Sequence, residues 1–589
     1  MRLFLFVFLC FAYPSLATTY YVSNIGNNSN SGTSIASSFL TIQKGADVAI
    51  RGDSVIVVNG TYAGFDYWQK SGVFRDSVVF YASGSQVVIN SSGPLRSDGI
   101  NIEGTSGNEL KAIEVNGFKV LNLGFVGNGI RLVYVDHCIV RNCTSSGNER
   151  GIFTGFTDNL LLEYNICTNA LDEHGIYLSN SSDDALIRYN VSYDNNNIGI
   201  HMNGDLSQGE DGIIHRPVLY GNTIFENNMA SGINMDGVDS AVIFNNLIYN
   251  NHKAQGIVMF KGDGAIMSKS ALIYNNTIVV PSDGRWGILL QAGAENGTKI
   301  YNNIIHSYHS FRGVLGIDGT TNFTSDYNIL QENRLGVDAD NSTTSFANWK
   351  SQGLDQHSFL VTSHTDFVKL FVNNDTTNFH LAANSLARDT GTQLVSAWVT
   401  DDLDGNPRPS GTKYDLGAFE YQTALAVNDL QGFGGRQLGE QILLEWFHKV
   451  TDENATIAVE RSMDGIHFEK LGEVIQNGQA RLMLFDPKPN SGTNYYRLRF
   501  NKNDEIEYSK VIQVLYRPKA TLVYPNPSEG ILHFSNAGKK QLWVFLSDGR
   551  LVQEYDDVYQ ELHTMLEPGT YFIQIKTEES TNTEVLIVR

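Results

Sequence analysis

Residues 175–212 read GIYLSNSSDDALIRYNVSYDNNNIGIHMNGDLSQGEDG. Gly175-Ile176 and Gly199-Ile200 each open a short run in which apolar and polar residues alternate. Between them lies Ile187-Arg188-Tyr189-Asn190, an apolar-x-x-Asn signal. Both signals recur. Gly followed by Ile or Val appears at Gly129, Gly151, Gly175, Gly199, Gly232, Gly256, Gly287 and Gly313. The first and last of these are 184 residues apart over seven steps, a mean step of about 26. The asparagines that follow are Asn142, Asn165, Asn190, Asn222, Asn246, Asn276, Asn303 and Asn328. A period of that length means a solenoid. The runs are too short for helices and are split by Asn, Gly, Ser and Asp, so each repeat is strands and turns. The fold expected is all-β: a right-handed parallel β-helix, apolar residues inward and every second residue outward. The asparagines are expected at its corners. Asn tolerates left-handed turn geometry, and its amide can bond the Asn of the next coil.

That register places the segment 199–212. With Ile of each Gly-Ile step inward, the first outward column is Phe153, Tyr177, His201, Asn234, Val258 and Leu289. The second is Gly155, Ser179, Asn203, Asp236, Phe260 and Gln291. His201, Asn203, Asn234 and Asp236 then form a polar square on neighbouring coils about 4.8 Å apart. Two steps are long, 33 residues from Gly199 to Gly232 and 31 from Gly256 to Gly287. Their extra residues must bulge as loops, where sites are often built. The first holds Asp205, Glu210 and Asp211, and the second Lys261, Arg285 and Trp286. Glu173 and His174 precede a neighbouring step.

The whole chain has 589 residues and a formal net charge of −21. That length implies several domains. That charge argues against a nucleic-acid partner, which needs clustered Lys and Arg. Met1-Arg2, the apolar run from Leu3 to Tyr13 and Ser15-Leu16-Ala17 read as a secretory signal peptide over residues 1–17. Cys138, Cys143 and Cys167 remain after it, an odd number without zinc spacing. They are read as small buried fillers.

Residues 19–62, TYYVSNIGNNSNSGT to VIVVNGTY, resemble the opening of pectate-lyase-like and chondroitinase-B-like β-helix proteins. Residues 402–421, DLDGNPRPSGTKYDLGAFEY, resemble the segment that closes such domains. The resemblance implies a β-helix over 18–422 and is specific for fold, since the superfamily hosts lyases, hydrolases, epimerases and binders. Residues 423–516 alternate as antiparallel strands with Asp-Gly and Asn-Asp turns and resemble a fibronectin-III-like sandwich. Residues 517–589 contain Tyr524-Pro525-Asn526-Pro527 and Pro568-Gly569-Thr570-Tyr571 and resemble a type IX secretion C-terminal sorting domain. That resemblance implies export to the periplasm, handling by the type IX machinery, and release or attachment at the cell surface.

A long groove suits an extended polymer, so a secreted polysaccharide-acting protein, working as a monomer, is expected. Two chemistries fit. In a lyase, His201 or Lys261 is the base. Asp205, Glu210, Asp211 and Asp236 offer hard oxygens to calcium, a frequent ion in the resembled superfamily. Arg285 holds the substrate's acid group, Tyr177, Trp286, Asn203, Asn234 and Gln291 line the sugar path, and Asp236 also stands as a catalytic carboxylate. In a hydrolase, Asp236 pairs with Asp205 or Glu173. A non-catalytic surface glycan-binding rod is the third reading, and no catalytic signature of a known family is matched residue by residue.

Overall fold

The computed structural model describes residues 17–421 except 69–76, 295, 311–312, 318–321, 332–334, 339–341 and 373–377. Beyond 421 it describes residues 430–588 except 439–440, 449–455, 464–467, 476–480, 491, 503–504, 510, 517–522, 525–530, 535–538, 547–549, 560 and 578–580. The expected signal peptide, apart from Ala17, and residues 525–527 of the expected sorting motif lie outside the described residues.

One unit spans Met1–Tyr421 and a second spans Gln422–Arg589. The first is a right-handed parallel β-helix. A coil is three short strands, for example Ile176–Ser179, Leu186–Arg188 and Val191–Tyr193. Each pairs in parallel with its counterpart one coil on: Ile176 with Ile200, Leu186 with Val218, Val191 with Thr223. The first-type strands stack into a 13-stranded sheet, and the other two types run through a 22-stranded sheet.

The Gly-Ile step fixes the register. Ile100, Ile130, Ile152, Ile176, Ile200, Ile233, Ile257 and Ile288 lie in one unbroken pairing column. All eight are fully buried. The glycine before each is required by space. At Gly199 an added Cβ would lie 2.3 Å from Ile224 and 2.8 Å from the Gly232 carbonyl, and Gly151, Gly175, Gly232, Gly256 and Gly287 are as tight.

At one corner the asparagines form a buried ladder. Asn165, Asn190, Asn222, Asn246, Asn276 and Asn303 each donate from Nδ2 to the Oδ1 of the next, at 2.9–3.1 Å. The same Oδ1 also accepts the preceding coil's Asn backbone N–H, as from Asn190 to Asn222 at 3.0 Å. Asn142 is one residue out of this column. It has φ 55°, like Tyr164 and Tyr189, and Cys143 supplies the N–H that meets Asn165. Sequence reading misplaced Asn142 because the apolar-x-x-Asn signal does not record which residue turns left-handed. Cys138, Cys143 and Cys167 are free and buried, and burial pushes the thiols of Cys138 and Cys143 up to about 12.

The helix Ile42–Val48 covers the first coil with Ile42 and Ala46, and Thr41 caps it by accepting the Lys44 N–H. Near the far end, residues 392–421 clasp the corner. The Arg408 guanidinium, fully buried, donates to the Asp415 and Gly417 carbonyls and to Glu420. Asn275 donates to the same two carbonyls, and Asn302 to the Thr392 carbonyl.

The second unit is antiparallel. Strands within 430–516 form two small sheets around Trp446, Tyr496, Leu444 and Leu498, a β-sandwich. Strands within 523–588 form two more around Leu542, Val544, Ile573 and Leu586.

The ladder generates a prediction. Asn222→Ala strands the Asn190 N–H groups in the core and is expected to cost about 2–4 kcal/mol. Asn142→Gly, which keeps the left-handed backbone at a half-buried position outside the ladder, is expected to cost less than about 1 kcal/mol. Thermal unfolding of the two variants decides it, and equal losses would contradict the ladder's role.

Candidate functional site

The face of the 13-stranded sheet carries the polar residues. Its first outward column runs Asp66, Asn101, Arg131, Phe153, Tyr177, His201, Asn234, Val258 and Leu289. From Phe153 onward this is the column read from sequence. A second column holds the residue before each glycine: Asp98, Asn128, Arg150 and His174. The two columns meet around Tyr177 and His201.

His174 and His201 stack with ring centroids 4.6 Å apart and planes 18° apart. Tyr177 meets both edge-on, at 4.9 Å and 4.7 Å. The His174 ring is fixed from both sides. Its Nδ1 accepts the Ile198 N–H at 3.3 Å, which leaves the proton on Nε2, 3.5 Å from Glu173. Arg150 grips Glu173 through the Nε and Nη2 edge of its guanidinium, and its Nη1 donates to Glu149 at 2.8 Å. Asn203 donates to the Tyr177 hydroxyl at 3.2 Å. His201 differs: both ring nitrogens are buried and without a hydrogen-bond partner. So is the Oδ1 of Asn234, its pairing neighbour one coil on. Two adjacent buried polar groups thus stand unsatisfied, an exception to the rule that buried polar atoms are hydrogen-bonded.

Burial sets the protonation. It holds the His174 imidazole down at about 3, with the Arg150 charge adding to the effect. Burial and then the neighbouring His174 hold His201 well below its usual value. Burial raises the Tyr177 phenol. At neutral pH the centre therefore holds two uncharged imidazoles and an uncharged phenol.

Upstream, the face continues as a charged network. Arg131 donates to Asn101 at 2.8 Å and to Glu103 at 2.7 Å, Arg96 grips Glu103, and Asn101 donates to Asp66 at 3.0 Å. Sequence reading missed Arg131, Arg150 and Glu103. The signal was present: Arg150 and His174 occupy the same place before successive Gly-Ile steps.

Several expected site residues are placed elsewhere. Asp236, expected as a catalytic carboxylate, does not stand open on the groove. It is 3% exposed, and its two oxygens accept the Gly262, Asp263 and Gly264 N–H groups at 2.7, 2.7 and 3.1 Å. Three amide donors take up most of its acceptor sites and build the turn. Asn203 is buried beside it, since the two enlarged turns zip over the column that holds Asn203 and Asp236: Leu206 donates to the Asp263 carbonyl and Ala265 to that of Gly212. Lys261 is exposed on this turn and donates to the Ala265 carbonyl at 3.0 Å. Trp286 offers no stacking surface. It is 1% exposed, packs with Val258, Leu289 and Phe260, and its ring occupies the space left by Gly316 and Gly336. Arg285 and Gln291 are half-buried two coils beyond Asn234's strand, away from the histidines.

The three expected metal ligands do not converge. Asp205 caps the turn Leu206–Gln208 by accepting the Ser207 N–H, Asp211 faces His215 at 3.4 Å, and Glu210 is exposed. Among the described residues, the three acids with mutually close oxygens are Glu149, Asp172 and Glu173, and Arg150 already neutralises two of them.

Residues 46–258 match the family described as Periplasmic copper-binding protein (NosD), and residues 522–589 match the Secretion system C-terminal sorting domain. The sorting domain marks the chain for secretion to the cell surface or beyond by the type IX route. Copper favours imidazole, thiolate and thioether donors. The one close group of three candidate ligands among the described residues is all carboxylate, and the three cysteines are free and buried, so neither that group nor the cysteines fit a copper centre. No curated protein matches in sequence. Among solved structures, a rhamnogalacturonan lyase is 14% identical over 62% of this chain and 97% of its own, with a TM-score of 0.40. The GH136 lacto-N-biosidase from Eubacterium ramulus is 11% identical over 59% and 67%, at 0.43. The periplasmic alginate epimerase AlgG is 14% identical over 49% and 69%, at 0.33. Scores this low say nothing of what this chain does.

The buried imidazoles have a consequence for acid stability. The unfolded chain takes up a proton on His174 near its ordinary 6.5, and the folded chain refuses it until about 3. Stability should therefore be full above pH 6.5 and fall below it by up to about 1.4 kcal/mol per pH unit for this histidine. His174→Gln should show a shallower fall in melting temperature between pH 6.5 and 4 than the unsubstituted protein. An unchanged slope would contradict the buried neutral state.

Proposed function

We propose that the β-helix acts on an acidic polysaccharide laid along the 13-stranded sheet, cleaving it by β-elimination with His201 as the base. The observation that carries this reading is the His201 imidazole: neutral, buried, and unbonded at both nitrogens beside a neutral tyrosine. The imidazole lone pair is free for the proton next to a uronate carboxylate, and the substrate's own carboxylate, set beside the ring, would offset the burial that otherwise disfavours the imidazolium. Electrons then move to break the bond to the leaving oxygen on the adjacent carbon, leaving an unsaturated uronate. The Tyr177 hydroxyl is the nearby group able to return a proton to that oxygen. The developing charge on the uronate needs a cation that the nearby arginines do not leave free, since Arg150 is held by Glu149 and Glu173 and Arg131 by Glu103, so an ion bridging substrate and protein would supply it. His174, locked by Ile198 and Glu173, orients His201 by stacking.

The carboxylates weigh against hydrolysis, which needs a free acid and a free base or nucleophile. Asp236 is committed to backbone amides, Glu173 to Arg150 and Asp205 to its cap. Calcium enters this reading only as an ion bridging substrate and protein, and a chelator tests it.

The test incubates the secreted protein with polygalacturonate, alginate, hyaluronan and neutral glucans, with and without chelator. Ultraviolet absorbance of unsaturated uronate and total reducing ends are read together. On an acidic polymer both should rise, and His201→Ala should lower the rate at least about 100-fold with its melting temperature nearly unchanged. Reducing ends without absorbance would transfer the activity to a hydrolase. Retention of polymer with neither signal would make the protein a binder.

A further inference from the structure

The 22-stranded sheet carries a separate cleft of about 800 Å³. Its floor is one cross-strand row, Leu186, Val218, Val242 and Leu272, each paired with the next. Trp398, Thr400 and Asp401 form one wall. That wall is held in place from below. Val395 and Val399 are fully buried with Val242, Phe244, Tyr274 and Tyr414. The Tyr414 hydroxyl donates to the Val399 carbonyl at 2.9 Å, and Asn245 donates to the Asp401 carbonyl at 2.6 Å. The cleft is thus preformed by the closing segment of the β-helix.

Its mouth is aromatic. Trp398 is 41% exposed and Tyr164 is 53% exposed. Tyr164 stacks on Tyr189, centroids 5.2 Å and planes 11° apart. Tyr189 in turn lies over Gly221, where an added Cβ would come within 2.6 Å of its ring. Tyr189 meets Tyr220, which lines the cleft, edge-on with centroids 5.3 Å apart, so the Tyr164–Tyr189 stack continues outward from the cleft lining. At the other rim Arg216 holds Asp184 through two hydrogen bonds of 2.7 Å.

We propose that this cleft is a glycan-binding site distinct from the His201 face, and that it takes a neutral stretch of oligosaccharide. A sugar chain presents C–H faces and a hydroxyl rim, and the cleft presents an aliphatic floor, exposed aromatic flanks and hydrogen-bonding groups at its edges. An anionic ligand needs an unpaired cation, and the rim's Arg216 is already held by a carboxylate. A peptide adding as a strand needs an open sheet edge, and the floor strands are paired on both sides. Such a site would hold polymer near the catalytic face and raise its effective concentration there. It does not depend on the chemistry assigned to His201.

The test uses the full secreted chain in native gels containing xylan, mannan or mixed-linkage glucan. The unsubstituted protein should be slowed by at least one of these polymers. Trp398→Ala and Tyr164→Ala should each weaken that retention about fivefold. Trp398→Phe should remove the ligand-induced change in tryptophan fluorescence that short oligosaccharides of the same polymer produce. His201→Ala should retain as the unsubstituted protein does, which separates this site from the catalytic one. No retardation by any of the three polymers, or equal retardation in all variants, would overturn the proposal. A concentration-dependent dimer lost in Trp398→Ala, with retention unchanged, would assign the cleft to a second copy of the chain.

Discussion

From Asn190 to Asn303 each corner asparagine donates from Nδ2 to the next and accepts two N–H groups at Oδ1, so one coil cannot slide past another without breaking several buried hydrogen bonds. The amide that makes the rung is also tied inward, to the carbonyl of the preceding coil, as from Asn222 to Ile187 at 2.9 Å. A slip of one residue would turn every apolar side chain outward. The ladder prevents it by geometry, and the glycine column prevents it by volume. With both in place, the outward face becomes a fixed grid with one side chain about every 4.8 Å along the helix axis. Any site on this protein is a choice of what to write on that grid.

On the 13-stranded sheet the grid is written in two styles. Coils up to Asn234 carry Asp, Asn, Arg, Tyr and His, and later coils carry Val258 and Leu289 beneath Trp286. The polar half is not a solvated surface. Arg131, Glu103, Asn101 and Asp66 satisfy one another at low exposure, as buried charges must. The energy of that arrangement is closed almost everywhere, and it is left open at His201 and Asn234. A buried imidazole without a hydrogen-bond partner is costly to a fold, and the proposed chemistry is set at that exception.

The column and register of this face were legible from Gly-Ile spacing, because a two-residue alternation and a fixed repeat leave a single choice. The asparagine ladder was legible for the same reason, apart from Asn142, whose shift depends on a backbone dihedral that composition does not show. Asp236 and Trp286 were misjudged through contacts distant in sequence. Asp236 is taken up by amides some 26–28 residues ahead, and Trp286 by the space above two glycines in later coils. Arg150 and His174 were overlooked as a column because they lie outside the alternating run, in the turn that leads into it. The cleft beside Trp398 was out of reach of the repeat altogether, since its wall comes from the closing segment.

The central claim is that the His201 face removes a proton from carbon. It is tested most directly with a uronate polymer that the protein shortens, prepared with deuterium on the carbon bearing the carboxylate. Turnover should slow several-fold relative to the protonated polymer, and the His201→Ala variant should leave that deuterium in place. Equal rates on the two polymers, with deuterium retained in the products of the unsubstituted protein, would contradict the account.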